Sequence, residues 1–192
     1  TVRPRARTIR PQAAPRPDMQ TVNDAGAVSS SNGPISPTIV KAEVLLDRAR
    51  FSPGEIDGKS GDNLKKALKA FASAHDLDAS GKLNEKVWGE LTSQDSKPAL
   101  VQYTISDDDV RGPFLDKLPA KMEDMKNLPH LGYTSARELL AEKFHMSEEL
   151  LSALNPDEQF NAAGHQIVVA NVEGDELPAK VERIEVDKTS QT

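Results

Sequence analysis

The sequence predicts a mainly α-helical chain with a small α+β part, and three observations carry that expectation. Leu64, Ala67, Leu68 and Phe71 recur at i, i+3, i+4 and i+7, which is the spacing of one helix face and not the alternation of a strand. Two β-prone runs, 100–105 and 166–170, bracket two segments with helix caps, so the second half reads strand, helix, helix, strand. A chain of 192 residues with 37% hydrophobic and 4% aromatic content can fill one or two small cores but not one large one.

In chain order, residues 1–37 are expected to form a disordered linker. They hold Pro4, Pro11, Pro15 and Pro17 and a small polar series from Ala25 to Pro37, with too few bulky apolar groups to offset the entropy of ordering. A first helix is expected over 38–49, with Ile39, Ala42, Leu45, Leu46 and Ala49 facing inward. Pro53-Gly54 and Asp57-Gly58 are turn signals, and Gly61 followed by Asp62 or Asn63 ends the loop at an N-cap for the helix of Leu64 and Phe71. Gly81 breaks that helix. Asn84 caps a third, short one that carries Val87, Trp88 and Leu91.

Residues 92–99 lack an apolar period and read as a boundary between a unit over 38–95 and a second over 99–172. The strand over 100–105 ends at the acidic cluster Asp107 to Asp109. About thirty residues, 106–134, then intervene, with Pro113, Pro119, Pro129 and Gly132, and read either as an embellishing lobe or as a short extra helix around 120–127. Ser135 and Glu138 form a capping box for a helix carrying Leu139, Leu140 and Phe144. Ser147 caps the next, with Glu148 and Glu149 in the first turn and Leu150, Leu151 and Leu154 inward, and Asn155-Pro156 stops it. Gly164 precedes the closing strand. Residues 181–188 alternate apolar and charged side chains with period two, so they read as a strand without a partner in the chain.

The net charge of −6 conceals an asymmetry. Arg3, Arg5, Arg7, Arg10 and Arg16 fall in a first stretch with no acid, while the other 19 basic residues stand against 30 acidic ones. Without aromatic interleaving or a basic helix, those arginines do not make a nucleic-acid site, and no nucleic-acid partner is expected. A solvated tether, or loose attraction to anionic polymers or lipid head groups, suits them better. No cysteine is present, which removes thiolate catalysis, disulfides and cysteine-based zinc sites within this chain. His75, His130, His145 and His165 never fall at i, i+4, no HExxH occurs, and no glycine-rich phosphate loop follows a strand. Neither a cofactor nor a metal is expected. No run of about eighteen apolar residues would span a membrane. The chain opens without a methionine or an apolar signal core, as a mature exported product or an excised piece would.

Over roughly fifty residues the first unit resembles the small helical peptidoglycan-binding domain found beside many bacterial cell-wall enzymes. The resemblance rests on Pro53-Gly54-x-Ile56-Asp57-Gly58-x-x-Gly61, then Ala67-x-x-x-Phe71, Leu77, Gly81 and Trp88-x-x-Leu91. It implies a three-helix fold and peptidoglycan, as glycan strand or stem peptide, for a partner. The sequence departs from that family at Ser60, Leu64 and Ala72, where an aromatic, a threonine and a glutamine are common. Asp57, Gly58, Ser60 and Trp88 are the candidate ligand residues on this unit. Two of them have simpler readings beside the functional one: Asp57-Gly58 as a turn whose carboxylate bonds its own backbone, and Trp88 as core rather than a sugar-stacking platform.

The second unit resembles a LysM domain of βααβ order. Tyr103-Thr104-Ile105 looks like its opening strand, Leu140-x-x-x-Phe144-x-Met146-x-x-x-Leu150-Leu151-x-Leu154-Asn155-Pro156 like its helices, and Gly164-x-x-Ile167-x-Val169 like its closing strand. The 106–134 insert departs from the family, which has a short turn there. The resemblance implies an N-acetylglucosamine groove beside Asn155, Pro156, Asp157 and Phe160, with a plain helix stop as the alternative for Asn155-Pro156. Residues 173–192 read as a linker and the unpartnered strand, and Ile184-Glu185-Val186-Asp187-Lys188-Thr189-Ser190-Gln191-Thr192 resembles the opening strand of the catalytic domain of L,D-transpeptidases. The histidine and nucleophilic cysteine of that domain lie far downstream of its opening strand and are not in this chain. The resemblances together imply a non-catalytic, exported region, in the periplasm or cell wall, that anchors a cell-wall enzyme and is followed by a catalytic domain. An envelope protein–protein interaction module and a paired-carboxylate hydrolase are the alternatives.

Overall fold

In the computed structural model, residues 17–27, 34–119, 121–126, 128, 132–174 and 183 are described. They form eight helices and one two-stranded antiparallel sheet: α1 (Met19–Asn23), α2 (Pro37–Arg48), α3 (Asp62–Ala74), α4 (Glu85–Gln94), β1 (Leu100–Thr104), α5 (Asp107–Arg111), α6 (Met122–Met125), α7 (Ala136–Lys143), α8 (Glu148–Leu154) and β2 (Gln166–Ala170). The fold is mainly helical with a small α+β part, as the sequence predicts. Most of the expected linker over 1–37, and all of the strand expected over 181–188 apart from Arg183, lie outside the described residues.

Where the linker is described, it is not one. Asp18 and Thr21 cap α1 reciprocally, and Val22 is fully buried. Asn23 grips the start of β1 with both ends of its amide, donating to the Leu100 carbonyl at 3.0 Å and accepting from the Leu100 N–H at 2.8 Å. Lys41 Nζ closes the other end, donating to the carbonyls of Asn23 at 2.6 Å and Ala25 at 3.1 Å. A five-residue helix has no stability of its own in water. Tertiary contacts, which sequence periodicity does not report, hold it in place.

Helix α2 explains how two units become one body. Ser36 caps it and Pro37 stands in its first turn, where a missing N–H costs nothing. On one side Leu45 and Leu46 join Leu64, Ala67, Leu68, Phe71, Ala72, Val87 and Leu91 in the three-helix core. On another, Val40 and Val44 join Val22, Ile35 and Ile56 in a core that continues through Leu100, Ile105, Leu140, Met146, Leu150 and Ile167. The second unit therefore packs directly on the first. At the end of α2, the buried Arg48 fastens the boundary segment: its Nη atoms donate to the carbonyls of Lys97, Pro98 and Asn171 at 3.0–3.2 Å, and Nε lies 2.6 Å from Asp95.

Local differences from the expected elements have plain causes. Gly61, not Asp62 or Asn63, is the N-cap of α3; it makes no side-chain bond, and Asp62 stands in the first turn where the helix dipole favours an acid. Asn84 and Ser147 cap as expected. Ser135 accepts from Glu138 N–H at 3.1 Å, but the Glu138 carboxylate returns to the N–H of Thr134 at 2.6 Å, one residue earlier than a capping box requires. The side chain of Trp88 is half-buried and belongs to neither core, because α4 turns Val87 and Leu91 inward instead. Asp109, in the expected acidic cluster, is 4% exposed and accepts from Tyr103 Oη (2.6 Å), Ser106 Oγ (2.7 Å) and Lys143 Nζ (2.8 Å). That network ties β1, α5 and α7 together.

Candidate functional site

The loop between α2 and α3 is built around two left-handed glycines. Gly54 has φ +85° and Gly58 φ +72°, a region that L side chains rarely adopt. Gly58 is also the point of closest approach: a Cβ there would lie 2.6 Å from Ile35 Cγ2 and 2.7 Å from Val40 Cγ2. Its polar groups are engaged as well. Its N–H donates to Glu43 Oε2 at 2.8 Å and its carbonyl accepts from Ser36 N–H at 2.9 Å. Asp57 precedes it, donating its N–H to the same Glu43 oxygen at 3.1 Å, while its own Oδ1 accepts from Lys59 N–H at 2.8 Å.

Two clefts flank this loop and share Glu55. One, of about 470 Å³, is lined by Glu43, Pro53, Asp57, Lys59, Gly61, Asp62, Asn63 and Leu64 besides Glu55. The other, of about 520 Å³, lies where the loop meets the second unit, among Gly54, Glu138, Glu142, His145, Met146 and Glu148. The loop is fixed between them by backbone pairing. Ile56 N–H donates to the His145 carbonyl at 2.8 Å, and Ser147 N–H donates back to the Ile56 carbonyl at 3.0 Å, a parallel bridge between Ile56 and Met146. Lys59 adds an exposed ion pair to Glu149 of α8 at 2.5 Å.

Glu43 is the unusual member of this site. It is 1% exposed, on a helix that is buried on more than one side. Burial, against the help of the Gly58 hydrogen bond and with the charge of Asp57 adding to it, pushes its carboxyl up to about 8. Among the described residues, no group of three or more His, Asp or Glu side chains is placed to hold a metal ion.

The expected site residues divide. Asp57 lines the first cleft, and its carboxylate makes the turn that its simpler reading describes. Gly58 is sealed beneath it as a packing glycine. Ser60 is exposed on the same loop, and Trp88 lines neither of these two clefts; it lies on α4 with Lys41 Nζ 5.6 Å from its ring centroid. In the second unit, Asn155 spends its amide on the fold, accepting from Val168 N–H at 2.7 Å and donating to the carbonyls of Leu151 and Val168 at 2.9 Å. Phe160 is 3% exposed within the core. Pro156 and Asp157 are exposed on the turn between them. Sequence reading missed Glu43, Glu55, Lys59, Asp62 and Asn63. Only Glu43 left a signal, as a charge set between Val40, Val44 and Leu46 on the buried part of a helix.

Residues 36–91 match the family model described as "Putative peptidoglycan binding domain". The match begins at the cap of α2 and ends at Leu91, so it takes in the whole loop, the first cleft and the three-helix core. None of the curated proteins compared with the chain matches it. Peptidoglycan is the bacterial wall polymer, so the domain points to peptidoglycan as a partner and to a wall-associated location. Among the described residues, no helix is long and apolar enough to cross a membrane.

Proposed function

We propose that this chain holds peptidoglycan without altering it, and that the cleft beside Asp57 is where the polymer sits. The observation that carries the reading is that the family-matched stretch supplies every residue lining that cleft. Its walls offer carboxylates at Glu55, Asp57 and Asp62, one cation at Lys59 and an amide at Asn63. Such a mixture suits a polymer rich in amides, hydroxyls and free amino groups, held by hydrogen bonds rather than by net charge. A single shallow cleft gives weak binding, so the LysM-like second unit is proposed as a further contact that gains through effective concentration. The resemblance of 184–192 to the opening strand of an L,D-transpeptidase domain motivates the larger reading, that the chain anchors such an enzyme in the wall.

A second reading, an interaction module for another envelope protein, is favoured by one observation in the second unit. Asn155 and Phe160, which the LysM resemblance assigns to a sugar groove, are consumed by the fold. The test is a titration of the full chain with soluble muropeptides, read by backbone amide shifts. Saturable movement at Asp57, Lys59 and Asn63 supports the cleft. Movement confined to α7, α8 and the 155–160 turn would move the site to the second unit, and no movement at all would favour the interaction module.

A further inference from the structure

The cleft beside Asp57 has a buried acid in its wall. Glu43 is 1% exposed, and the two backbone N–H groups that reach it, from Asp57 and Gly58, bind the same oxygen, Oε2, at 3.1 and 2.8 Å. Those bonds align the carboxylate and favour its charge. Oε1 accepts no hydrogen bond among the described residues, and since Glu43 lines the cleft, Oε1 is the oxygen that a group in the cleft can reach. Two more acids stand beside it. Asp57 spends Oδ1 on the Lys59 N–H, and Glu55 is exposed on the same loop. Among the described residues, none of these three acids has an ion pair: Lys59 is drawn to Glu149 of α8, and Lys65 pairs with Asp62. Burial works against the charge on Glu43, and the nearby Asp57 adds to that cost. A cation in the cleft would offset both.

We propose that the cleft is a seat for a primary ammonium group, with Glu43 Oε1 as the buried acceptor, Asp57 and Glu55 as acceptors at its mouth, and Pro53 and Leu64 against the stem that carries the ammonium. The proposal rests on the binding reading above and narrows it. What the cleft recognises in peptidoglycan is a free amine, borne by a diamino acid of an uncross-linked stem peptide or by a glucosamine that has lost its acetyl group. The lining residues decide against two other occupants. No aromatic side chain lines the cleft, so a sugar ring has no face to stack on. No three acids converge as a metal ion requires, whereas an ammonium has three N–H donors that can go to separate oxygens. A pair formed at a buried carboxylate is also screened little by salt.

The experiment is a titration of the full chain, read by the backbone amide shifts of Asp57, Lys59 and Asn63, with two pairs of probes. One pair is an uncross-linked muropeptide with its free side-chain amine and the same muropeptide acetylated at that amine. The other is a glucosamine oligomer without acetyl groups and its N-acetylated form. In at least one pair the amine form should bind roughly tenfold or more tightly than the acetylated form, the size expected of a hydrogen bond between charged groups. The pair that shows the preference names the source. Glu43→Gln keeps the shape and an acceptor for the Asp57 and Gly58 N–H groups but not the charge, and it should remove most of the preference. If that variant does not fold, Asp57→Asn, which keeps an acceptor for the Lys59 N–H, should reduce the preference instead. A preference left unchanged by the variant that folds overturns the seat. Equal binding of amine and acetylated forms in both pairs also overturns it, while leaving the cleft as a peptidoglycan site. Cleft amides that move with none of the four probes overturn the binding reading and the seat together.

Discussion

Ile56 and Met146 lie side by side as a two-residue parallel bridge, 90 positions apart in sequence, with Ile56 N–H on the His145 carbonyl and Ser147 N–H on the Ile56 carbonyl. Both side chains are in the core that also takes Val40, Val44, Leu100 and Leu150. Units that share a core in this way should unfold together. The expected outcome is one denaturation transition, with Trp88 fluorescence from α4 and the amide signals of β1 and β2 giving coincident midpoints. Two separated midpoints would mean that the shared core adds little.

Asn23 supports a second prediction, because both ends of its side chain serve Leu100. Asn23→Ala leaves a backbone donor and acceptor at the buried start of β1 without their partner. The expected loss is about 1–3 kcal/mol in chemical denaturation. A loss below about 0.5 kcal/mol would mean that α1 is not held against β1 in solution.

Asp109 supplies a pH prediction. Burial opposes its ionisation, but hydrogen bonds from Lys143, Tyr103 and Ser106 outweigh it and hold the carboxyl well below the usual carboxylate range. A depressed folded value contributes stability that is present above the unfolded value near 3.8 and is lost as pH falls below it. Asp109→Asn should therefore cost about 1–3 kcal/mol at pH 7 and progressively less toward pH 2. A difference that stays constant over that range would show that the charge of Asp109 is not what the network uses.

Much of the fold was legible because its signals are local. The period of Leu64 to Phe71, the caps at Asn84 and Ser147 and the β-prone runs at 100 and 166 each depend on neighbours within a few residues, and each formed an element. What was missed depends on distant partners. Helix α1 exists through Leu100 and Lys41, 77 and 18 residues from Asn23. The site was less legible for the same reason: Asp57 could be named from the turn, but that Gly58 would be sealed by Ile35 and Val40, and that Asn155 would be spent on Val168, are facts of packing. Trp88 shows the limit of helical periodicity, since it stands one position from Val87 and the helix buries the smaller residue.

The claim that the folded body, not the arginine-rich start of the chain, holds peptidoglycan is tested most directly by co-sedimentation with purified sacculi. The full chain should be compared with one lacking residues 1–16, a cut that spares α1 and its grip on Leu100. The folded body carries the excess of acids and cannot rely on attraction to an anionic wall, so binding should survive salt that screens exposed charges beyond about 8 Å. Saturable retention of both chains at 0.15 M salt and above, with no muropeptide released, is the result predicted. Loss of retention on removing residues 1–16, or no saturable retention by either chain, would contradict it.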